Sequence, residues 1–156
     1  MGFSSSLNRR IKTPNKEKEE KKKMRDEIKK IDPTKMLFEA IDEKDLRKAV
    51  RAIKLGADVN AEDAFGGTPL CYSARDDLTY FVRLLIKAKA NVDYYNPLFG
   101  WAPPIVYPVE NENVEMFRDF VNARANVFVN DGNGCPLLFN IKVTGFHLYL
   151  KESIKQ

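Results

Sequence analysis

His147 is the single histidine of this 156-residue chain. Acid–base or nucleophilic work by an imidazole needs a nucleophile and an orienting partner, and neither is visible in the sequence around it. It sits beside Phe146 and Tyr149, and a packed structural histidine is the expectation. Cys71 and Cys135 form no CxxC pair and no Cys/His ligand spacing, so no zinc-type cluster is expected. No GxGxxG or GxxxxGK[ST] phosphate loop occurs. Asp131-Gly132-Asn133-Gly134 has some of the look of a calcium loop. It lacks the further ligands and the distal glutamate, and reads better as turn chemistry. The expectation is a protein with no catalytic, cofactor-binding or metal-binding residues.

Recognition chemistry is better represented. Tyr94-Tyr95-Asn96-Pro97-Leu98-Phe99-Gly100-Trp101 holds four aromatics in eight residues, and Tyr and Trp are enriched where binding energy concentrates. Two outcomes are open: an exposed aromatic tip that marks a partner site, or a loop that folds back and buries Trp101 or Phe99 against Pro103 and Pro104.

These residues hang on a recurring framework. Gly56-Ala57-Asp58-Val59-Asn60 returns as Lys89-Ala90-Asn91-Val92-Asp93 and as Arg124-Ala125-Asn126-Val127-Phe128. Asp58 to Asn91 is 33 residues and Asn91 to Asn126 is 35, a period that marks a repeat architecture. Between the phrases the apolar spacing predicts paired helices: Met36–Asp42 with Lys44–Leu55, Pro69–Arg75 with Leu78–Lys87, and Pro104–Glu110 with Val114–Ala123. In the third pair Val114, Phe117, Phe120 and Val121 face inward. A fourth pair begins at Pro136 and continues weakly through Phe146–Leu150. Gly56 suits a position just after a helix. Thr68 suits an N-cap, with Pro69 in the first helical position where its missing N–H costs nothing. Pro108 makes the third first-helix short, irregular or kinked.

Residues 58–94 resemble the ankyrin repeat. Asp58-Val59-Asn60-Ala61, Asp63, Gly66, Thr68-Pro69-Leu70, Ala74, Val82, Leu84-Leu85 and Ala90-Asn91-Val92-Asp93 fall at that family's positions. The likeness extends in weaker form over about residues 34–156. It departs at Cys71, where the family has histidine, and at Asp77 and Lys89, where it has glycine. The third hairpin carries two extra residues. The resemblance implies an all-α solenoid of helix-turn-helix units with hairpin loops, four in number. It also implies a non-enzymatic protein-interaction module that binds through hairpin tips and a concave face of first helices. Carried over by position, the implied contacts are Asp42, Glu43, Ala64, Phe65, Arg75, Asp76, Glu110, Asn111 and Lys142. The hairpin aromatics Tyr94, Tyr95, Phe99 and Trp101 join them.

Charge is unevenly placed. Residues 1–31 hold 11 Lys/Arg and 5 Asp/Glu, whereas the remainder holds 15 and 17. A basic arm (1–31) is therefore expected ahead of a repeat domain (32–156). Residues 16–31 read as a helix with Glu17–Lys21 and Glu19–Lys23 pairs and a Met24, Ile28, Ile31 stripe. The arm is expected to cap the repeats. The alternative is that it tethers a passive scaffold to an anionic membrane or nucleic acid. Met1-Gly2-Phe3-Ser4-Ser5-Ser6 matches a myristoylation start at Gly2 and Ser6, with Phe3 a bulky mismatch. With no membrane-length apolar run and no secretory leader, a cytoplasmic monomer is expected. In it both cysteines are reduced, buried small hydrophobes at equivalent places in the repeat.

Overall fold

The computed structural model describes residues 18–23, 32–131 and 133–141. The chain divides into two compact units, Met1–Asp32 and Pro33–Gln156. In the first, residues 18–23 are helical and exposed. The rest of the expected 16–31 helix and the Met1–Ser6 start lie outside the described residues. So do Lys142, His147 and the expected Phe146–Leu150 segment.

The second unit is helical, with no strand among its described residues. From Pro33 its helices are α1 (Pro33–Asp42), α2 (Leu46–Lys54), α3 (Pro69–Arg75), α4 (Thr79–Lys87), α5 (Val106–Glu110), α6 (Val114–Asn122) and α7 (Leu137–Asn140). A 3-10 turn, Pro97–Phe99, lies between α4 and α5. Helix pairs α1–α2, α3–α4 and α5–α6 pack together within each pair. The first helices α1, α3, α5 and α7 also adjoin in sequence, as do the second helices α2, α4 and α6. The arrangement is a row of side-by-side pairs.

Local chemistry sets each boundary. The carboxylate of Asp45 accepts from the backbone N–H of Arg47 and of Lys48 at 2.9 and 3.0 Å, so α2 starts at Leu46, after the expected Lys44. Thr68 N-caps α3 by accepting from the Cys71 N–H at 3.3 Å. Its hydroxyl also donates to Cys71 Sγ at 3.3 Å, so the thiol in the histidine position still takes a hydrogen bond. α5 starts at Val106, two residues after the expected Pro104. That shift puts Pro108 in the third helical position, where a backbone N–H has no partner within the helix. The proline thus costs the helix no hydrogen bond, and α5 is short.

The period reappears in the backbone. Lys44, Asp77 and Glu112 have φ of 56°, 58° and 55°, and Gly56, Lys89 and Arg124 have 94°, 69° and 63°. Each triplet is spaced 33 and then 35 residues. The first ends the turn after a first helix, and the second ends a second helix. Glycine tolerates this left-handed conformation at no steric cost; lysine, aspartate and arginine do not.

The core repeats as well. Leu37, Leu70 and Leu137 are fully buried in first helices, and Ile105 is fully buried just ahead of α5. Ala49, Val82 and Phe117 form one buried file in the second helices, and Ala52, Leu85 and Phe120 form another. Each large aliphatic or aromatic side chain so buried contributes roughly 1.5–3 kcal/mol. Val114, expected inward, is exposed at the first position of α6, and Met116 is buried instead. Arg83 joins α4 to α6, reaching Glu115 and Asp119 at 2.7 Å each. No described helix is long and apolar enough to cross a membrane.

Candidate partner-binding surface

The loops between units are built from short polar side chains. In each recurring phrase the first Asx side chain accepts from the backbone two residues on. Asp58 accepts from Asn60 N–H (2.9 Å), Asn91 from Asp93 N–H (3.1 Å) and Asn126 from Phe128 N–H (2.9 Å). A second set of bonds runs between units. Thr34 Oγ1 accepts from Asp58 N–H at 3.0 Å, Asn60 Oδ1 from Asn91 N–H at 2.7 Å, and Asp93 Oδ1 from Asn126 N–H at 2.7 Å. The first bond ties α1 to the loop after α2, and the other two form a ladder that holds consecutive loops in register. Its sequence signal is the recurrence of two polar residues flanking a valine.

Two hairpin turns share one design. Asp63 Oδ1 accepts from Phe65 N–H (2.9 Å) and Gly67 N–H (3.0 Å), and Asp131 Oδ1 accepts from Asn133 and Cys135 N–H, both at 2.9 Å. The hairpin between them is longer. Asn96 and Trp101 pair as an isolated antiparallel bridge, around the 3-10 turn and Gly100 at φ 77°.

Trp101 does not turn outward. It is 7% exposed, and its indole N–H donates to the Phe65 carbonyl at 2.8 Å. It lies edge-on to Tyr72, with ring centroids 4.7 Å apart. A Cβ on Gly67 would stand 2.5 Å from the Trp101 ring and 2.6 Å from Tyr72, so the bare glycine is the floor on which the indole rests. Of the two outcomes open from the sequence, Trp101 takes the buried one, docked on the preceding unit, and Phe99 the exposed one. Tyr94 is half-buried beside it, its hydroxyl donating to the Gly66 carbonyl at 2.5 Å. Tyr72 in turn donates to Asp63 at 2.6 Å. Burial first and Asp63 second raise its pKa.

The other expected contact residues fall at several points on this surface. Phe65, Tyr95 and Phe99 are exposed at 71%, 60% and 58%, and Leu98, which sequence reading passed over, is 91% exposed. Phe99 sits against Gly66, so it adjoins the turn that carries Phe65. Arg75 lies over the rings of Tyr72 and Trp101, at 4.9 and 5.4 Å, and pairs with Asp76 at 2.8 Å. Asp42, Glu43 and Ala64 are exposed, and Glu43 pairs with Lys48 at 3.0 Å. Asn111 is exposed, yet its amide donates to the Ala74 and Arg75 carbonyls at 3.4 and 3.3 Å, closing the end of α3. Glu110 is exposed at the end of α5, where partial burial and then the charge of Asp131 raise its pKa.

The structure therefore gathers Phe65, Arg75, Asp76, Tyr94, Phe99 and Trp101 around one pair of hairpins. Asp42 with Glu43, and Glu110 with Asn111, stand at the ends of the first helices α1 and α5, with α3 between them. Cys71 is buried and burial raises its pKa, whereas Cys135 is exposed, contrary to expectation. The two are not equivalent. Cys71 is inside α3, and Cys135 occupies the turn position of Gly67. Gly67 is covered by Trp101 of the next hairpin; no described hairpin follows Cys135.

No protein-family model matches the chain. It is similar to a fowlpox virus (strain NVSL) protein assigned provisionally to the ankyrin repeat proteins. The two are 30% identical over 103 residues, covering 66% of this chain and 15% of that relative. The chain thus spans a small part of the relative's length. The similarity, the recurring phrase and the helical structure together point to ankyrin-like repeats.

Proposed function

We propose that residues 32–156 form a solenoid of ankyrin repeats that serves, without catalysis, as a protein-interaction module. Its binding surface is the hairpin tips together with the free ends of the first helices. The observation that carries this reading is the exposure of Phe65, Tyr95, Leu98 and Phe99 on consecutive hairpins. Large apolar side chains clustered at loop tips add nothing to the core, and such patches mark interaction sites. Residues 1–31 stand in this reading as a separate basic arm. The free cysteines support a reducing, cytoplasmic setting.

Capture of partners from native cells tests it, comparing the wild-type chain with Phe65→Ser, Tyr95→Ser and Phe99→Ser combined. All three side chains are exposed, so the variant keeps its melting temperature and recovers markedly less partner. Undiminished recovery would remove the hairpins from the proposal. Trp101 is unsuitable for this test, because its loss perturbs the fold as well as the surface.

A further inference from the structure

A groove of about 580 Å³ opens between the third and fourth loops. Asp93, Tyr95, Pro97, Trp101, Pro103 and Asp131 are among its lining residues, and no lysine or arginine is. The imbalance is wider than the groove. Residues 57–76, 90–111 and 125–141, which hold the loops and first helices beyond α1, carry seven Asp/Glu against one Lys/Arg. That one cation, Arg75, is paired with Asp76. Tyr95 and Pro97 wall the groove and also belong to the hairpin whose tip presents Leu98 and Phe99. A chain seated in the groove can therefore run on to an apolar tip.

We propose that this groove receives an extended segment of a protein partner bearing a lysine or arginine flanked by apolar residues. The basic side chain enters between the carboxylate-bearing loops and lies against the aromatic walls, where ring faces add to the attraction for a cation. The apolar neighbours cover Leu98 and Phe99. Nucleic acid, a polyanion, is repelled by the same charge. The inference rests on the interaction reading above and narrows its partner to one chemistry.

The test passes a random dodecapeptide library over the immobilised full chain, then measures a retained peptide by fluorescence anisotropy against variants. Asp93→Asn keeps an Oδ1 acceptor for the Asn126 N–H, as Asn60 already does one unit earlier, so it removes charge and leaves the ladder intact. Asp131→Asn likewise keeps Oδ1 for its turn. Tyr95→Lys, at an exposed position, places a cation in the groove independently of either loop carboxylate. The library is expected to select lysine or arginine beside apolar residues. Each variant should weaken the selected peptide by about tenfold, and added salt should weaken the wild type more than the Asp93→Asn, Asp131→Asn pair. Selection of peptides without basic residues would overturn this inference and leave the interaction reading standing. Indifference of the selected basic peptide to all three substitutions would overturn it too, as would retention of no peptide.

Discussion

The indole N–H of Trp101 donates to the backbone carbonyl of Phe65 at 2.8 Å, across 36 positions of sequence. It fastens the hairpin of one helix pair to that of the pair before it. Trp101→Ala removes this bond and the ring that fills the space above Gly67, and should cost about 3–5 kcal/mol. Gly67→Ala presses from the other side, with a methyl group 2.5 Å from the ring, and should cost about 1–3 kcal/mol. Urea denaturation checks both; a loss below about 0.5 kcal/mol in either would mean that the indole does not rest where the structure puts it.

The ladder makes a graded prediction. Asn60→Ala and Asp93→Ala each leave the next unit's N–H to water, and each should lower stability by about 0.5–1.5 kcal/mol. Asp93→Asn should change it by less than either. If the alanine variants unfold at the wild-type urea midpoint, the inter-unit bonds contribute nothing.

Lys89 holds φ of 69° at the place where Gly56 ends the previous second helix. Lys89→Gly relieves the left-handed strain but loosens the unfolded chain, for a net gain of about 0.5–1 kcal/mol. A lower melting temperature would refute this.

Burial pushes the Tyr107 hydroxyl up to about 12, above the ordinary tyrosine value near 10. The folded state thus favours the neutral phenol more than the unfolded chain does. That contribution is complete below about pH 10 and is lost as pH rises toward 12. Stability should fall across this window, and less steeply in Tyr107→Phe. Chemical denaturation at pH 9 and at pH 11 reads the difference; equal slopes would contradict it.

Helix ends governed by neighbouring residues could be read from the chain. Thr68-Pro69 marks the start of α3 because capping acts over three residues, and the end of α2 at Gly56 follows from glycine's backbone freedom. The start of α5 at Val106 is not marked locally, because two prolines precede the helix and a third lies inside it; only the need to keep Pro108 in the first turn fixes the frame. Trp101 could not be placed at all from local sequence, since its resting surface at Gly67 belongs to the previous unit. Of the candidate surface, the exposure of Phe65, Tyr95 and Phe99 fits their positions at loop tips. Asn111 is exposed as its position implies, and its amide also closes the end of α3.

Repeat arrays are often treated as beads that open one at a time, each held to the next by packing alone. The indole seated on a bare glycine alters that picture for the second and third beads. Slow amide exchange should release Gly67 and Trp101 together, and a chimera that swaps either loop without the other would inherit a hole or a collision.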